Sequence, residues 1–170
     1  LLDAQVFPRL KLCAGWITPD VVADIQLDQA TYPHRFNSFS HFQVHLFGLN
    51  YKLASVQHSI RRYEFDDWLL KRSGVPVSVH NVREIRREGD YYIVDDQYRA
   101  RYLVGAGGTK CPVYRTLFRD SNARAKELQT VTLEQEFAYP YTDPDCHLWF
   151  FSKRLPGYAW YVPKADGYLN

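Results

Sequence analysis

The chain has 170 residues, of which 46% are hydrophobic and 24% are charged, so it is long enough for one domain, or for parts of two, with a buried core. Its net charge of +2 comes from 21 basic and 19 acidic residues without a basic stripe, which argues against nucleic-acid binding. No apolar run approaches the roughly 20 residues of a membrane span, and three scattered cysteines indicate neither a disulfide framework nor a zinc motif.

Turn residues and hydrophobic periodicity divide the chain into short strands and a few helices. Thr18-Pro19-Asp20 predicts a helix start with a capping hydroxyl, a proline at the first helical position and an acid in the first turn. The predicted helices cover residues 18–28 and 63–73 and a segment that begins at Pro112. The predicted strands cover residues 41–46, 55–60, 75–87, 91–95, 98–104, 128–139, 147–152 and 158–163. This mixed order favours the α+β class with antiparallel pairing.

Four segments share their order and spacing with one enzyme family. They are Leu2-Asp3 with Phe7-Pro8-Arg9 and Cys13-Ala14-Gly15-Trp16, Arg62-Tyr63-Glu64-Phe65-Asp66 with Leu69, Tyr102 to Gly108, and Pro156 to Pro163. Together they resemble the geranylgeranyl reductase family of FAD-dependent oxidoreductases, which belongs to the p-hydroxybenzoate hydroxylase-like flavoproteins. The resemblance spans the whole chain.

The resemblance implies two interleaved domains. A partial Rossmann-type domain that binds FAD would take residues 1–30 and 58–120, and a partial substrate domain with a mixed or antiparallel sheet would take residues 31–57 and 121–170. The chain starts without a methionine and contains none, so we expect an internal fragment of a longer enzyme. The glycine-rich G-x-G-x-x-G loop is absent from it.

Two charged residues are candidates for contact with the flavin. Asp3, which closes the apolar Leu1-Leu2 pair predicted to be the tail of a buried strand, would accept hydrogen bonds from the adenosine ribose, although an ordinary turn aspartate is the alternative. Arg62, at a helix start, would bind phosphate or ribose oxygens of FAD, and the alternative is a surface arginine paired with Glu64 or Asp66.

A glycine turn forms the third candidate contact with the cofactor. Gly105, Gly107 and Gly108 would let the backbone approach the ribityl and pyrophosphate groups of FAD. Gly107 stands where the superfamily has an aspartate that binds the ribityl chain, so Thr109 or the backbone would have to replace that contact. A plain strand-to-helix turn is the alternative.

The remaining candidates concern catalysis and the substrate. In the resembling enzymes a cysteine in the segment of Cys13 lies near the flavin ring, and we hypothesise a redox pair of Cys13 with Cys111. Tyr158, Trp160 and Val162 alternate along a strand that lines the isoprenoid cavity in the family, with Val162 in place of the usual phenylalanine. A sheet face packed on a core is the alternative.

The resemblance implies reduction of carbon–carbon double bonds in an isoprenoid, geranylgeranyl-type chain, with NAD(P)H or ferredoxin as electron donor. An FAD-dependent monooxygenase or halogenase and a noncatalytic binding module are the alternatives. Residues 1–170 alone are expected to be colourless and inactive and to self-associate through an open sheet edge. We expect a cytoplasmic protein, with peripheral membrane contact left open. His41 and His45 lack a third ligand, so no metal site is predicted.

Overall fold

The computed structural model describes residues 1–124, 129–151 and 157–170. The chain divides into two compact units, each built from two chain segments. The first unit comprises Leu1–Phe7 with Ser73–Thr132, and the second comprises Pro8–Arg72 with Leu133–Asn170. The sequence-based boundaries after residues 30, 57 and 120 therefore differ from those of the units. The second unit takes in both the short strand at Trp16–Ile17 and its partner residues His58 and Ser59.

Strands outnumber helices in the described residues. In chain order the strands are β1 (Leu2–Asp3), β2 (Trp16–Ile17), β3 (Asn37–Leu46), β4 (Leu49–Ser59), β5 (Ser78–Val79), β6 (Ile85–Glu88), β7 (Tyr91–Val94), β8 (Tyr98–Ala100), β9 (Phe137–Ala138), β10 (Cys146–Phe150), β11 (Tyr158–Tyr161), β12 (Pro163–Lys164) and β13 (Tyr168–Leu169). The α-helices are α1 (Pro19–Asp24) and α2 (Arg62–Ser73).

The first unit is built around an antiparallel meander. Strands β6, β7 and β8 pair in that order, and β1 pairs in parallel with β5 over two residues. The buried core of this unit consists of Ile85, Val94, Cys111 and Val113. Mixed sheets with few helices agree with the α+β prediction, whereas the Rossmann-type detail stays a prediction because the parallel pair is so short.

The second unit contains a five-stranded mixed sheet with the order β11-β10-β3-β4-β2. Strand β10 is parallel to β3, and the other neighbours are antiparallel. A smaller antiparallel sheet has the order β12-β13-β9. Phe39, Cys146 and Val162 form one buried cluster of this unit. The helices bury a second cluster, which consists of Leu27, Tyr32, Ile60 and Phe65.

Both predicted N-terminal helices are confirmed, with adjusted ends. The Thr18 hydroxyl accepts a hydrogen bond from the backbone N–H of Val21, and Pro19 opens α1 as expected. The helix ends at Asp24 rather than near residue 28, because Gln26 has a φ of +49° that a right-handed helix cannot contain. Gly74, with a φ of +63°, ends α2.

The predicted strand over residues 75–87 is interrupted. Only Ser78–Val79 and Ile85–Glu88 are strand, because the carboxylate of Asp95 accepts hydrogen bonds from the backbone N–H groups of Arg83 and Glu84 and holds the intervening segment as a loop. His80 Nε2 lies 2.6 Å from the same carboxylate.

The predicted strand over residues 128–139 is wrong for most of its described length, which begins at residue 129. Only Phe137–Ala138 is strand, and Val131 and Leu133 are 97% and 90% exposed, so their alternation faces no core. The helix predicted from Pro112 is also different, since two helical residues lead into a π-helical segment at Tyr114–Phe118. Residues 128 and 152 of the predicted strands and Pro156 of the fourth family-like segment lie outside the described residues.

Candidate functional site

A cavity of about 280 Å³ lies in the first unit between the end of β1 and the glycine turn. Asp3, Gly105 and Gly107 all line it, so the structure brings together three residues that the sequence suggested for the cofactor. Apolar side chains form the rest of its wall, among them Leu2, Val82, Ile85, Val94, Leu103 and Val113. Gly108 lines a neighbouring cavity of about 480 Å³ together with Arg124.

Asp3 is held in place by its own backbone and side chain. Its Oδ1 accepts a hydrogen bond from the N–H of Gln5 at 2.9 Å, and its carbonyl accepts one from the N–H of His80 at 2.8 Å. The first contact is an Asx turn, so the alternative of a turn aspartate is also compatible with the geometry. A role in binding ribose stays a prediction.

The glycine turn needs small residues for packing. A Cβ atom on Gly105 would lie 2.8 Å from the Cβ of Val113 and 3.0 Å from the Sγ of Cys111. A Cβ on Gly107 would lie 3.1 Å from the Cα of Cys111. Gly108 has a φ of +68° and open space around it, so glycine is favoured there by the backbone conformation and not by packing. The turn is therefore tightly packed from behind and open at Gly108.

Cys111 closes the glycine turn and is buried. Burial alone would raise the pKa of its thiol. The backbone N–H groups of Tyr114, Gly107 and Val113 and the charge of Arg124 outweigh burial and lower that pKa below its usual value. Cys111 belongs to the first unit and Cys13 to the second, so the hypothesised redox pair stays a prediction.

In the second unit, Arg62 is bound to an acid of its own helix. Its Nε and Nη2 donate to Asp66 Oδ1 and Oδ2 at 2.5 and 2.7 Å. The hydrogen bond to Asp66 is the main cause of a raised pKa of Arg62, and a further one to the half-buried Cys13 adds to it. The neighbouring Arg61 binds Glu64 and Glu136. The Asp66 pairing is the alternative considered from the sequence, and contact with FAD stays a prediction.

Lys164 is a buried charged residue that the sequence analysis did not single out. It is fully buried, and its Nζ donates to the carbonyls of Ala14 and Ile60, at 2.9 Å for Ile60. Burial lowers the pKa of this amine to about 8, although Glu136 and Cys13 act in the opposite direction. The ammonium thus ties the segment after Cys13 to the end of β4. In the sequence, the one indication of this burial is that Lys164 directly follows the apolar end of the predicted strand over residues 158–163.

The five-stranded sheet has one apolar face. Cross-strand pairing places on it the side chains of Val44, Leu46, Leu49, Tyr51, Leu53, Leu148, Phe150, Tyr158 and Trp160, which we call the apolar sheet face. Tyr158 is 45% exposed, and its ring lies 5.4 Å from that of Phe150 and 5.7 Å from that of Trp160. The indole N–H of Trp160 donates to Asn170 Oδ1 at 2.6 Å. Val162 is fully buried.

Within residues 1–124, 129–151 and 157–170, no three histidine, cysteine or acidic side chains are grouped so that they could hold a metal ion. None of the helices in these ranges is long and apolar enough to cross a membrane.

No protein-family model matches the chain. Proteins named CbrA are similar to it in sequence: the one from Shigella dysenteriae serotype 1 (strain Sd197) is 30% identical and the one from Escherichia coli (strain K12) is 29% identical. Both alignments cover 94% of this chain and 48% of the relative. The chain therefore spans about half the length of these relatives.

Solved structures resemble the chain over nearly its whole length. PqsL from Pseudomonas aeruginosa, described as a probable FAD-dependent monooxygenase, matches 99% of the chain and 51% of its own, with a TM-score of 0.66 and 14% identity. The peptidyl tryptophan dihydroxylase QhpG matches 96% of the chain and 37% of its own, with a TM-score of 0.55 and 19% identity. At these identities the likeness shows the fold, which is that of part of such enzymes. Neither is a geranylgeranyl reductase, so that narrower resemblance stays a prediction.

Proposed function

We propose that the chain is part of an FAD-dependent oxidoreductase of the monooxygenase type that acts on an apolar or aromatic substrate. The observation that carries the proposal is the fold shared with PqsL over 99% of the chain. Oxygen-dependent chemistry, which the sequence left as an alternative, is therefore favoured over double-bond reduction.

The first unit has residues that fit part of the cofactor. Asp3, Gly105 and Gly107 line the same cavity. The Asp3 carboxylate can accept hydrogen bonds from ribose hydroxyls, and the glycines let the backbone approach a phosphate closely. The neighbouring cavity adds Arg124, a cation suited to phosphate oxygens. When bound, FAD supplies the electron transfer to dioxygen that hydroxylation requires. The role of this chain would be to bind and orient the cofactor.

The apolar sheet face is the candidate wall of the substrate site in the second unit. Leu49, Tyr51, Leu53 and Tyr158 each expose between 45% and 58% of their surface on it. Contiguous exposed apolar surface of this kind marks a place for a ligand or another part of a protein. Reduction of an isoprenoid double bond is the second candidate function, because a long apolar chain would suit the same face. NAD(P)H or ferredoxin is the proposed electron donor in either case.

The test uses the full-length protein that contains this chain, purified and assayed for bound flavin. We expect FAD to co-purify and the oxidation of electron donor to depend on dioxygen, with ¹⁸O from ¹⁸O₂ entering an aromatic or apolar product. Product formation without oxygen, with two hydrogens added to a double bond, would replace monooxygenation by the reductase alternative. Full-length protein that binds no flavin would reject both.

A matched pair of variants tests the cofactor site. Asp3→Asn weakens acceptance from ribose hydroxyls, so FAD affinity should fall about tenfold, which is the range for loss of a charge-assisted hydrogen bond. Asp90→Asn changes another turn aspartate of the first unit, one outside the cavity, and should leave FAD affinity unchanged. Equal affinities of the two variants would remove Asp3 from the site.

A further inference from the structure

On the other face of the five-stranded sheet, the imidazole rings of two histidines are part of a chain of hydrogen bonds. His45 Nε2 and His147 Nδ1 lie 2.8 Å apart, and their ring planes differ by 14°. At one end, His45 Nδ1 lies 2.6 Å from Asn50 Oδ1. At the other end, His147 Nε2 lies 2.9 Å from Asp143 Oδ2. Side chains from β3, β4, β10 and the loop before β10 thus form three consecutive hydrogen bonds.

The protons in this line can be counted. An amide oxygen and an ionised carboxylate only accept hydrogen bonds, so His45 Nδ1 and His147 Nε2 must both carry a proton. The bond between the two rings needs a third proton. Two neutral imidazoles carry only two protons, so with the Asn50 oxygen facing His45 the arrangement holds one extra proton and one positive charge.

A neutral arrangement exists with nearly the same atomic positions. If the amide of Asn50 turns by 180°, its Nδ2–H donates to His45 Nδ1. His45 Nε2–H then donates to His147 Nδ1, and His147 Nε2–H donates to Asp143. All three bonds are satisfied with two protons. The oxygen and nitrogen of an amide are similar in size, so no other side chain has to move.

We propose that His45 and His147, the imidazole pair, form a binding site for a single proton, and that loss of this proton turns the amide of Asn50. The site goes beyond the proposed function, because none of the candidate cofactor residues belongs to it and the candidate substrate residues lie on the other face of the sheet or in the core.

Neighbouring aromatic rings favour the charged state of the imidazole pair. The ring of Trp149 lies parallel to His45 within 10° at 4.8 Å and to His147 within 14° at 5.3 Å, a placement in which its π-electrons attract a cation. The rings of Tyr161 and His147 are perpendicular, with their centroids 5.6 Å apart, and the Tyr161 hydroxyl donates to the carbonyl of Asp143 at 3.1 Å. The second contact fixes the loop that supplies the carboxylate.

Other charged groups on this face are engaged with one another. Asp145 accepts a hydrogen bond from Gln43 at 2.7 Å and lies 3.4 Å from His41 Nε2. The bond to Gln43 first, then the charges of His41 and Lys52, lower the pKa of Asp145. The carboxylate therefore stays ionised in contact with Gln43 and His41, while Lys52, opposite Gln43, adds a positive charge to the same face as the imidazole pair. Asp143 remains its direct counter-ion.

The test is ¹⁵N NMR of the protein labelled in its six histidines. On acidification from about pH 8 to pH 5, where histidines usually titrate, the signals of His45 and His147 should move together and report one proton for the pair. Above that range His45 should be the Nε2–H tautomer. Two independent titrations of one full proton each, or an Nδ1–H tautomer of His45 at high pH, would overturn the proposal.

Substitution of Asn50 provides the matched variants. Asn50→Asp leaves a charged acceptor that cannot turn into a donor, so the midpoint of the pair should rise by about 1 pH unit or more. Gln57→Glu adds the same charge elsewhere on β4 and should move it much less. An unchanged midpoint in Asn50→Asp would refute the coupling. If that variant does not fold, the tautomer of His45 in the unchanged protein decides.

Discussion

Replacing Gly15 by alanine tests the contact between the segment after Cys13 and the end of β4. Gly15 has a φ of +68°, and a Cβ atom there would lie 2.2 Å from the carbonyl oxygen of Ile60 and 2.5 Å from the Nζ of Lys164. The lysine end can shift, but the Ile60 oxygen belongs to the backbone at the junction of β4 and α2. The substitution therefore has to displace backbone.

The expected cost follows from three contributions. Holding alanine at positive φ costs about 1 kcal/mol. The Ile60 oxygen must move by more than 1 Å to reach an ordinary contact distance. That movement weakens the bond from Ile60 N–H to the Gly15 carbonyl, at 2.9 Å, and the bond from Lys164 to Ile60. The backbone bond between Ile60 and Gly15 contributes about 1 kcal/mol, and the charged bond from Lys164 contributes about 1.5–3 kcal/mol. Together with the conformational cost, the expected loss of stability is about 4 kcal/mol.

The measurement is the free energy of unfolding in urea, with Gly48→Ala as the control. Gly48 has a φ of +79° in the same unit, but a Cβ there would meet nothing within 4 Å. Its substitution should cost only the conformational part, about 1 kcal/mol. The two variants should thus differ by about 3 kcal/mol. Equal losses would refute the reasoning, because they would leave no energy for the contact with Ile60.

Three further predictions concern titratable groups. The folded-state pKa of Lys164, about 8, lies below its ordinary 10.5, so unfolding takes up a proton between these values and stability rises with pH there, by about 3 kcal/mol. Unfolding curves of the Lys164→Met variant should lack this rise. Hydrogen bonds from the backbone N–H of Glu84 and from His80 lower the pKa of Asp95, so in urea unfolding Asp95→Asn should destabilise the protein at neutral pH, and this cost should shrink as the pH falls below about 4 and disappear only below the folded-state pKa. Burial raises the pKa of the fully buried Cys146 to about 12, so mass spectrometry after iodoacetamide at about pH 8 should find Cys13 alkylated and Cys146 unmodified; the reverse order would contradict this.

Local signals in the sequence predicted local structure well. The hydroxyl and proline at residues 18–19 predicted the start of α1, and Gly74 predicted the end of α2. Each depends on a cap or a dihedral angle that a few neighbouring residues determine. Alternation failed at Val131 because a period of two indicates a strand only if a partner surface exists.

Long-range arrangement was not predictable in the same way. Residues 83 and 84 form a loop because they donate backbone hydrogen bonds to the carboxylate of Asp95, which lies eleven or more residues further along the chain. No local sequence pattern indicates such a contact. The burial of Lys164 depends on two carbonyls supplied by residues 14 and 60. The sequence predicted Asp3 and Gly105 as neighbours only through a family resemblance, and the cavity that joins them depends on tertiary packing.

The parallel pairing of β3 with β10 constrains the order in which the two units can fold during synthesis. Phe42 pairs with Cys146, so β3 keeps one open edge until the ribosome has added roughly a hundred more residues, which takes about 5–20 s. Every strand and core residue of the first unit is complete before β10 exists. The first unit can therefore finish folding before the second, although most of its residues follow β3 and β4 along the chain. During the wait, a ten-residue strand edge is open to wrong partners, so a nascent chain of this protein should depend on a chaperone.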